Sequence, residues 1–301
     1  MYVILPGMNP PVIGVITTQR NVLERQILLP AGSDPEWMAE IPNGHKLYVL
    51  DTANSLVYVI DTASRVIVQT LAVGSGPFMA TTSPDSSAVF VLGAAGVSVI
   101  DANTDVILNS TPLPIPGTAD SISYDAKLNR LYFTDKEGDL EIYNTAVAPG
   151  TLPVPVASLK IPGQNAATCP PQPSAPCTSL IGVTSLPDGS RVYALSMTFT
   201  PGTPSTWAPA LTPVNSLSLL MQTPVAMEPA NVDPASPCGT ARFRFTVGSS
   251  GGSERVYVSS CDFGGTYILR TFDNLEVQVV ASPLSSKPPA SQNPVFMITG
   301  R

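Results

Sequence analysis

"LYVLDTANSLVYVIDTASRVIVQTLAVGSGP", residues 47–77, holds three short apolar runs separated by Asp, Thr, Ala, Asn and Ser, and ends in a Gly-Ser-Gly-Pro turn. Runs of four to eight residues rich in Val, Ile and Tyr and bounded by turn formers read as consecutive strands. Much of the stretch returns 42 residues later, where Phe90 of "AVFVLG" (88–93) matches Tyr48 of "KLYVLD" (46–51). The same position is Tyr132 in "RLYFTD" (130–135), Tyr193 in "RVYALS" (191–196) and Tyr257 in "RVYVSS" (255–260). Successive spacings of 42, 42, 61 and 64 describe two short repeats followed by longer ones, and "MYVIL" at 1–5, with Tyr2, is a further copy. A fixed period of this size marks a repeat architecture.

Within one repeat the strands follow in order: "GPFMATTSP", then "AVFVLG" after a "DSS" turn, then "AGVSVIDA" and "DVILNSTPL". Four antiparallel strands per repeat of this length are the unit of a β-propeller. The second strands are apolar at successive positions, as expected of sheets covered on both faces. The stretch 36–145, and in weaker form 179–301, resembles the YVTN-type propeller repeat: a Tyr-Val-containing second strand, a "V-x-V-I-D-T" third, a "V-x-x-T-I-x-V-G" fourth and a "G-P…S-P-D-G" first strand. Leu50-Asp51, Leu92-Gly93 and Thr134-Asp135 replace its Thr-Asn. The resemblance implies an all-β propeller like those of bacterial surface-layer proteins and lactonase-like enzymes.

Counting second strands gives six four-stranded blades in one domain: one shared between the termini, then 36–72, 77–112, 119–160, 179–228 and 239–281. "NPVFMITGR" (293–301) resembles a first strand and "MYVIL" is a second, so the two ends are expected to form a clasp that leaves no free edge. A seven-bladed ring with an upstream part missing is the alternative.

Composition limits the partners. Charged residues are 12% of the chain, and 22 acids against 15 Lys plus Arg give a net charge of −7, which offers no footprint for nucleic acid or an anionic membrane. No apolar run is long enough for a transmembrane helix, and the first residues lack a signal-peptide pattern. The four cysteines fall in two local pairs, Cys169 with Cys177 and Cys238 with Cys261. With one histidine and no C-x-x-C, disulfides are expected, hence an extracellular, periplasmic or envelope location with the signal outside this chain. A hairpin of 239–247 with 254–260, its turn centred near Ser250 and Gly251, would set Cys238 almost opposite Cys261.

Three segments break the repeat: 161–178, 198–213 and 229–238. In a propeller all three fall at the mouth of the channel, where long loops on a rigid scaffold carry binding. The same face is expected to hold Asp34, Glu36, Trp37, Asp51, Asn54, Asp120, Asp135, Lys136, Trp207, Asp262 and Asn293. Their carboxylates suit either turn formation or a calcium-like ion. Trp37 aligns with Phe78, which favours packing over a ligand platform. Trp207, in a Pro-rich segment without a strand pattern, is expected to anchor its loop or make an exposed contact. Asp61, Asp101 and Asn144 recur at a turn and are structural. His45 sits in a hairpin turn away from the mouth, so a His-based triad is excluded; there is no G-x-S-x-G, phosphate loop or dinucleotide fingerprint. The expectation is a monomeric module that binds a protein or polysaccharide and needs no cofactor; the alternative is a lactonase-like hydrolase with a channel-bound divalent cation.

Overall fold

Strands whose residues are apolar at every position must be covered on both faces, and the second strands at 46–51, 88–93, 130–135 and 191–200 are. The computed structural model describes residues 1–5, 7–109, 111, 113, 119–135, 137–148, 150–165, 169, 174–231, 245–260 and 265–281. Among them there are 24 strands and no α-helix. The chain divides into two compact units, Met1–Ala119 with Ala146–Pro153, and Asp120–Thr145 with Val154–Arg301.

The first unit holds three antiparallel sheets. One is β1 (Tyr2–Leu5), β2 (Val12–Thr17) and β3 (Val22–Leu28); the next is β4 (Pro35–Glu40), β5 (Lys46–Asp51), β6 (Leu56–Asp61) and β7 (Val66–Ala72). The third is β8 (Met79–Thr82), β9 (Ala88–Gly93), β10 (Gly96–Asp101) and β11 (Val106–Ile107). Alternation along β5 divides its side chains between two cores. Leu47 and Val49 pack with Ile13, Val15 and Ile27 of the first sheet, and Tyr48 and Leu50 with Val89, Val91 and Ile100 of the third. Each fully buried aliphatic contributes about 1.5–3 kcal/mol, so a polar residue at any of these positions would fail on one side or the other.

The second unit repeats the scheme. Its sheets are β12 (Ala119–Asp125), β13 (Arg130–Asp135), β14 (Asp139–Asn144) and β15 (Val154–Lys160); β16 (Cys177–Ser185), β17 (Arg191–Thr200), β18 (Thr206–Asn215), β19 (Val225–Ala226) and β20 (Ala230–Asn231); and β21 (Phe245–Ser249), β22 (Arg255–Ser260), β23 (Gly265–Arg270) and β24 (Leu275–Ala281). Along β17, Val192 and Ala194 join Tyr132, Leu140 and Ile142, while Tyr193, Leu195 and Met197 join Val256, Val258 and Tyr267.

A polar connection recurs at one edge of these cores. In the first unit the Lys46 ammonium donates to the Ala102 carbonyl and to Asp105 Oδ2, both at 2.8 Å, and the Tyr48 hydroxyl donates to Asp105 Oδ1 at 2.8 Å. In the second, Arg130 donates to the Ser216 carbonyl, Arg191 to the Thr271 carbonyl, and the Tyr193 hydroxyl to Asn274 Oδ1 at 2.8 Å. Lys46 with Tyr48 and Arg191 with Tyr193 are thus one device: a cation and a phenol, two residues apart and so on one face, that reach the next sheet's third-to-fourth turn, and Arg130 repeats the cation's half of it. The receiving residues Asp105 and Asn274 have φ of 54° and 57°, which Asp and Asn tolerate better than other side chains.

A second regularity lies on the outer strands. In β3, β7, β15 and β24 the third residue, namely Glu24, Val68, Val156 and Val277, is an extra one that the register with the preceding strand skips. The expected fourth strand "DVILNSTPL" is shorter than the sequence suggests: β11 has two residues, after which the Asn109 side chain takes over the ladder, accepting from Val99 N–H at 2.7 Å and donating to the Val97 carbonyl at 2.9 Å. The last hairpin also departs from its expected register. Phe245 pairs with Ser260 and Ser249 with Val256, because Ser250 Oγ accepts the N–H groups of both Glu254 and Arg255 and fixes the turn. The expected facing of Cys238 and Cys261 loses that support, and both cysteines lie outside the described residues, as does the proposed clasp strand 293–301.

Asp105→Ala removes the acceptors of a part-buried phenol and of an ammonium, and is expected to cost about 2 kcal/mol in urea denaturation; Asp105→Asn, which keeps one of the two acceptor oxygens and the turn preference, is expected to lose less.

Candidate functional site

In the first unit Asp51 ends β5 and is fully buried. Its Oδ1 accepts the Asp34 N–H at 3.0 Å and the Asn54 N–H at 3.2 Å; its Oδ2 accepts the Asn54 amide at 2.8 Å and the Tyr58 hydroxyl at 2.7 Å. Tyr58 in turn meets Ser33 Oγ at 2.9 Å. Burial pushes the Asp51 carboxyl up, but the donors outweigh it and hold it below the usual carboxylate range. Asp34, Asp51 and Asn54 are therefore brought together, as a clamp between the entry to β4 and the β5–β6 turn. Glu36 and Trp37 follow on β4; the Trp37 indole donates to the Ala80 carbonyl at 3.1 Å, and its ring packs against the core around Tyr48 and Leu50. The position of Asp51 is Gly93 in the next sheet for a steric reason: a Cβ there would meet the Ser75 carbonyl oxygen at 2.7 Å.

In the second unit the same strand-end position is Asp135, also fully buried, but its electrostatics are reversed. Oδ1 accepts the Asp139 N–H at 2.9 Å, while Oδ2 is buried without a hydrogen-bond partner among the described residues. The position of Tyr58, which serves Asp51, is occupied here by Glu141. Burial pushes the Asp135 carboxyl up, with the Asp139 charge adding to it, and burial likewise pushes up Glu141, with Asp135 and Asp139 adding. Glu141 accepts from Ser158 at 2.8 Å. The sequence carried a signal for this site: a Glu in the middle of "DLEIYN", where the other repeats have Tyr58, Ser98 and Tyr267. Asp125, at the end of β12, was also missed. It is buried, accepts two turn N–H groups on Oδ1, and has its carboxyl raised by desolvation. Asp120 lies half-buried on β12. Lys136, Asp262 and Asn293 lie outside the described residues.

The largest departure from the repeat is the sheet of β16–β20. The strands β16, β17 and β18 have nine, ten and ten residues, against six for β13 and β14. At the turn between first and second strands the long sheet starts like the others, with Leu186 N–H on the Arg191 carbonyl as Ile41 N–H is on that of Lys46. All the added length therefore lies at the other end, where about four extra residues extend the sheet by about 13 Å. Segment 198–213 is thus not a strandless insertion: Thr198–Thr200 belong to β17, and residues 206–213 to β18. Trp207 pairs with Phe199 across the hairpin and is 5% exposed, its ring 4.9 Å from Phe199 and 6.0 Å from Phe245. The expected exposed contact gives way to a core position. The Pro residues misled because three of them, Pro201, Pro204 and Pro209, flank or sit in an otherwise well-paired hairpin.

The extended end is braced on both sides. A disulfide joins Cys169 to Cys177 at the start of β16, within the predicted segment 161–178, and Asn165 pairs with Thr178 in both directions. From 229–238, Ala230 and Asn231 form β20 against Trp207 and Thr206, and residues 232–238 lie outside the described residues. Thr178 and Thr198 hydroxyls meet at 2.9 Å, and Thr200 is exposed beside Thr206. The end of this sheet is a rigid platform with hydroxyls and methyls on one face and an aromatic core beneath the other. Among the described residues no three His, Cys, Asp or Glu side chains are grouped to hold a metal ion.

No protein-family model and no curated protein matches the sequence. Solved structures do. They include the β-propeller domain of Myceliophteria thermophila Cps50 (Swd1), at 13% identity and a TM-score of 0.61 over 94% of this chain and 83% of that one. Kuenenia stuttgartiensis hydrazine synthase matches at 14% identity and 0.62, over 90% and 80%. The WD40 domain of Toxoplasma gondii coronin matches at 12% and 0.64, over 94% and 68%. At such identities the likeness shows the fold. The chain has a β-propeller fold, and the six antiparallel sheets among the described residues correspond to blades.

The two strand-end carboxyls set opposite pH dependences. Asp135 and Glu141 bind protons more tightly when folded, so their contribution to stability is complete below about pH 4 and is lost as pH rises toward neutrality; Glu141→Gln should raise the denaturation midpoint near pH 7 and leave it unchanged near pH 4. The lowered Asp51 works the other way, so Asp51→Asn should destabilise near pH 7 by a margin that shrinks as the solution is acidified below about pH 4. Reducing the Cys169–Cys177 bond, whose sequence separation is 8, should cost about 2.5 kcal/mol, read as the urea-midpoint difference with and without dithiothreitol.

Proposed function

We propose that this chain is a β-propeller binding module, secreted or held in the cell envelope, that presents the extended end of β16–β18 to a protein or polysaccharide partner. The observation that carries the reading is where the repeat is broken: among the described residues one sheet is lengthened, all its added length lies at one end, and that end is braced by a disulfide, an aromatic cluster and the short strand β20. Extra length that is stiffened in this way presents contacts at low entropic cost. The disulfide supports an oxidising compartment. The YVTN-type resemblance supports a closed ring of six blades.

The competing reading is a lactonase-like hydrolase with a divalent cation in the channel. The neighbours do not decide between the two: one carries the name of a synthase, the others those of a propeller and a WD40 domain. The test uses the exposed tip. Thr200→Glu with Ser205→Glu leaves the buried Phe199–Trp207 pair intact, so the fold should survive while binding to cell-surface glycans or extracellular proteins falls at least about tenfold. Unchanged binding would move the contact surface elsewhere, and calcium uptake by calorimetry together with lactone turnover would favour the hydrolase.

A further inference from the structure

The opposite end of the second unit holds a cleft of ≈ 390 Å³ between the sheets of β16–β20 and β21–β24, its lining including Asp188, Arg191, Glu254, Arg255, Arg270 and Phe272. The volume is that of a small-ligand site. Its walls are already tied together. The Asp188 N–H donates to Ser253 Oγ at 2.9 Å and the Arg191 guanidinium to the Thr271 carbonyl, each bond passing from one sheet to the other. Within the second sheet the Thr271 hydroxyl donates to the Ser253 carbonyl at 2.6 Å, and its N–H to the Glu254 carbonyl at 3.1 Å. A site held in this way loses little freedom on binding.

Phe272 is 88% exposed in the turn between β23 and β24. The N–H groups of Thr62, Ala102 and Thr271 donate to the carbonyls of His45, Ser87 and Glu254, the residues that precede β5, β9 and β22, which aligns the three turns and sets Phe272 where the others have Ala63 and Asn103. The turn therefore does not require an aromatic residue, and the ring's apolar surface is stabilising only when something covers it. The charges narrow what that is. Arg191, Arg255 and Arg270 line the cleft beside Asp188 and Glu254, and Asp273, paired with Arg270, brings the two signs into balance. A polyanion would meet the carboxylates, a polycation the guanidinium groups, and a wholly apolar molecule would strip water from both without replacing its hydrogen bonds. An uncharged ligand dense in hydroxyl groups, with one apolar face, satisfies all of them: carboxylates accept from hydroxyls, guanidinium groups donate to them, and the apolar face covers the ring. A pyranose ring, with hydroxyls around its edge and C–H groups on its face, has this chemistry. Asp188 is positioned for it by its own turn, where Oδ1 accepts the Ser190 N–H at 2.9 Å, a bond that uses only part of a carboxylate's accepting capacity.

We propose that this cleft binds a short neutral saccharide, one ring stacked on Phe272 and its hydroxyls held by Asp188, Glu254 and Arg255. The cleft lies at the far end of its sheets from Thr200 and Ser205, so it can fail as a site without affecting the contact surface proposed above, and the reverse.

The test is saturation-transfer NMR followed by calorimetry on the full chain, with maltose, cellobiose, lactose and mannobiose as neutral probes and glucuronic acid and glucosamine as charged ones. At least one neutral disaccharide should bind with a Kd of about a millimolar, and at least about tenfold more tightly than either charged sugar. Phe272→Ala should weaken that binding about tenfold without moving the melting temperature, because the ring is exposed, whereas Phe272→Trp should keep it. Glu254→Gln with Arg255→Gln leaves the net charge unchanged and should also weaken binding, by removing the charged partners of the hydroxyls. No binding of any of the four disaccharides at about ten millimolar, tighter binding of a charged sugar, or binding that Phe272→Ala leaves unchanged would overturn the proposal.

Discussion

The constraint on which this structure depends is that the second strands β5, β9, β13 and β17 have no outside. Tyr48, Tyr132 and Tyr193 are completely buried, yet each carries a hydroxyl that water can no longer serve. In Tyr48 and Tyr193 that hydroxyl finds a turn residue of the next sheet, and a cation two positions earlier reaches the same turn. Apolar burial draws neighbouring sheets together without specifying how they slide over one another. The phenol and cation supply the missing directionality, because they can be satisfied at only one offset. For Tyr48, burial and Asp105 push the phenol's ionisation up, which keeps it a donor.

The same strand-end position shows how one repeat can host different electrostatics. Asp51 is surrounded by donors and stays ionised, whereas Asp135 shares its surroundings with Asp139 and Glu141 and is pushed toward the neutral form. The difference lies in the donors: Asp34, Asn54 and Tyr58 all give hydrogen bonds to Asp51, whereas Asp135 has the Asp139 N–H and the Asp139 charge beside it. Residues that align in sequence are thus not interchangeable in chemistry, and a ring of aligned carboxylates need not be a ring of charges.

The repeat period, the order of strands and the double-sided cores could all be read from the sequence, because they rest on apolar periodicity and on turn residues that act locally. What could not be read involved partners distant in the chain. Trp207 looked like a loop residue since Pro201, Pro204 and Pro209 are strong local signals, but Phe199 and Phe245 override them by burying its ring. The short β11 depends on the Asn109 side chain standing in for backbone, which no propensity encodes. Of the expected site residues, Asp34, Asp51 and Asn54 do meet, but their mutual hydrogen bonds use the capacity that a ligand would have needed.

The skipped residues on the outer strands bear on life at high density. Val66, Val68, Val154, Val156, Leu275 and Val277 are exposed along strand edges, the kind of rim that recruits further strands into fibrils. One surplus residue at the same place in β3, β7, β15 and β24 breaks the even spacing of amide and carbonyl groups that an incoming strand would have to match. A protein protected in this way can be packed side by side at high concentration without these edges knitting together.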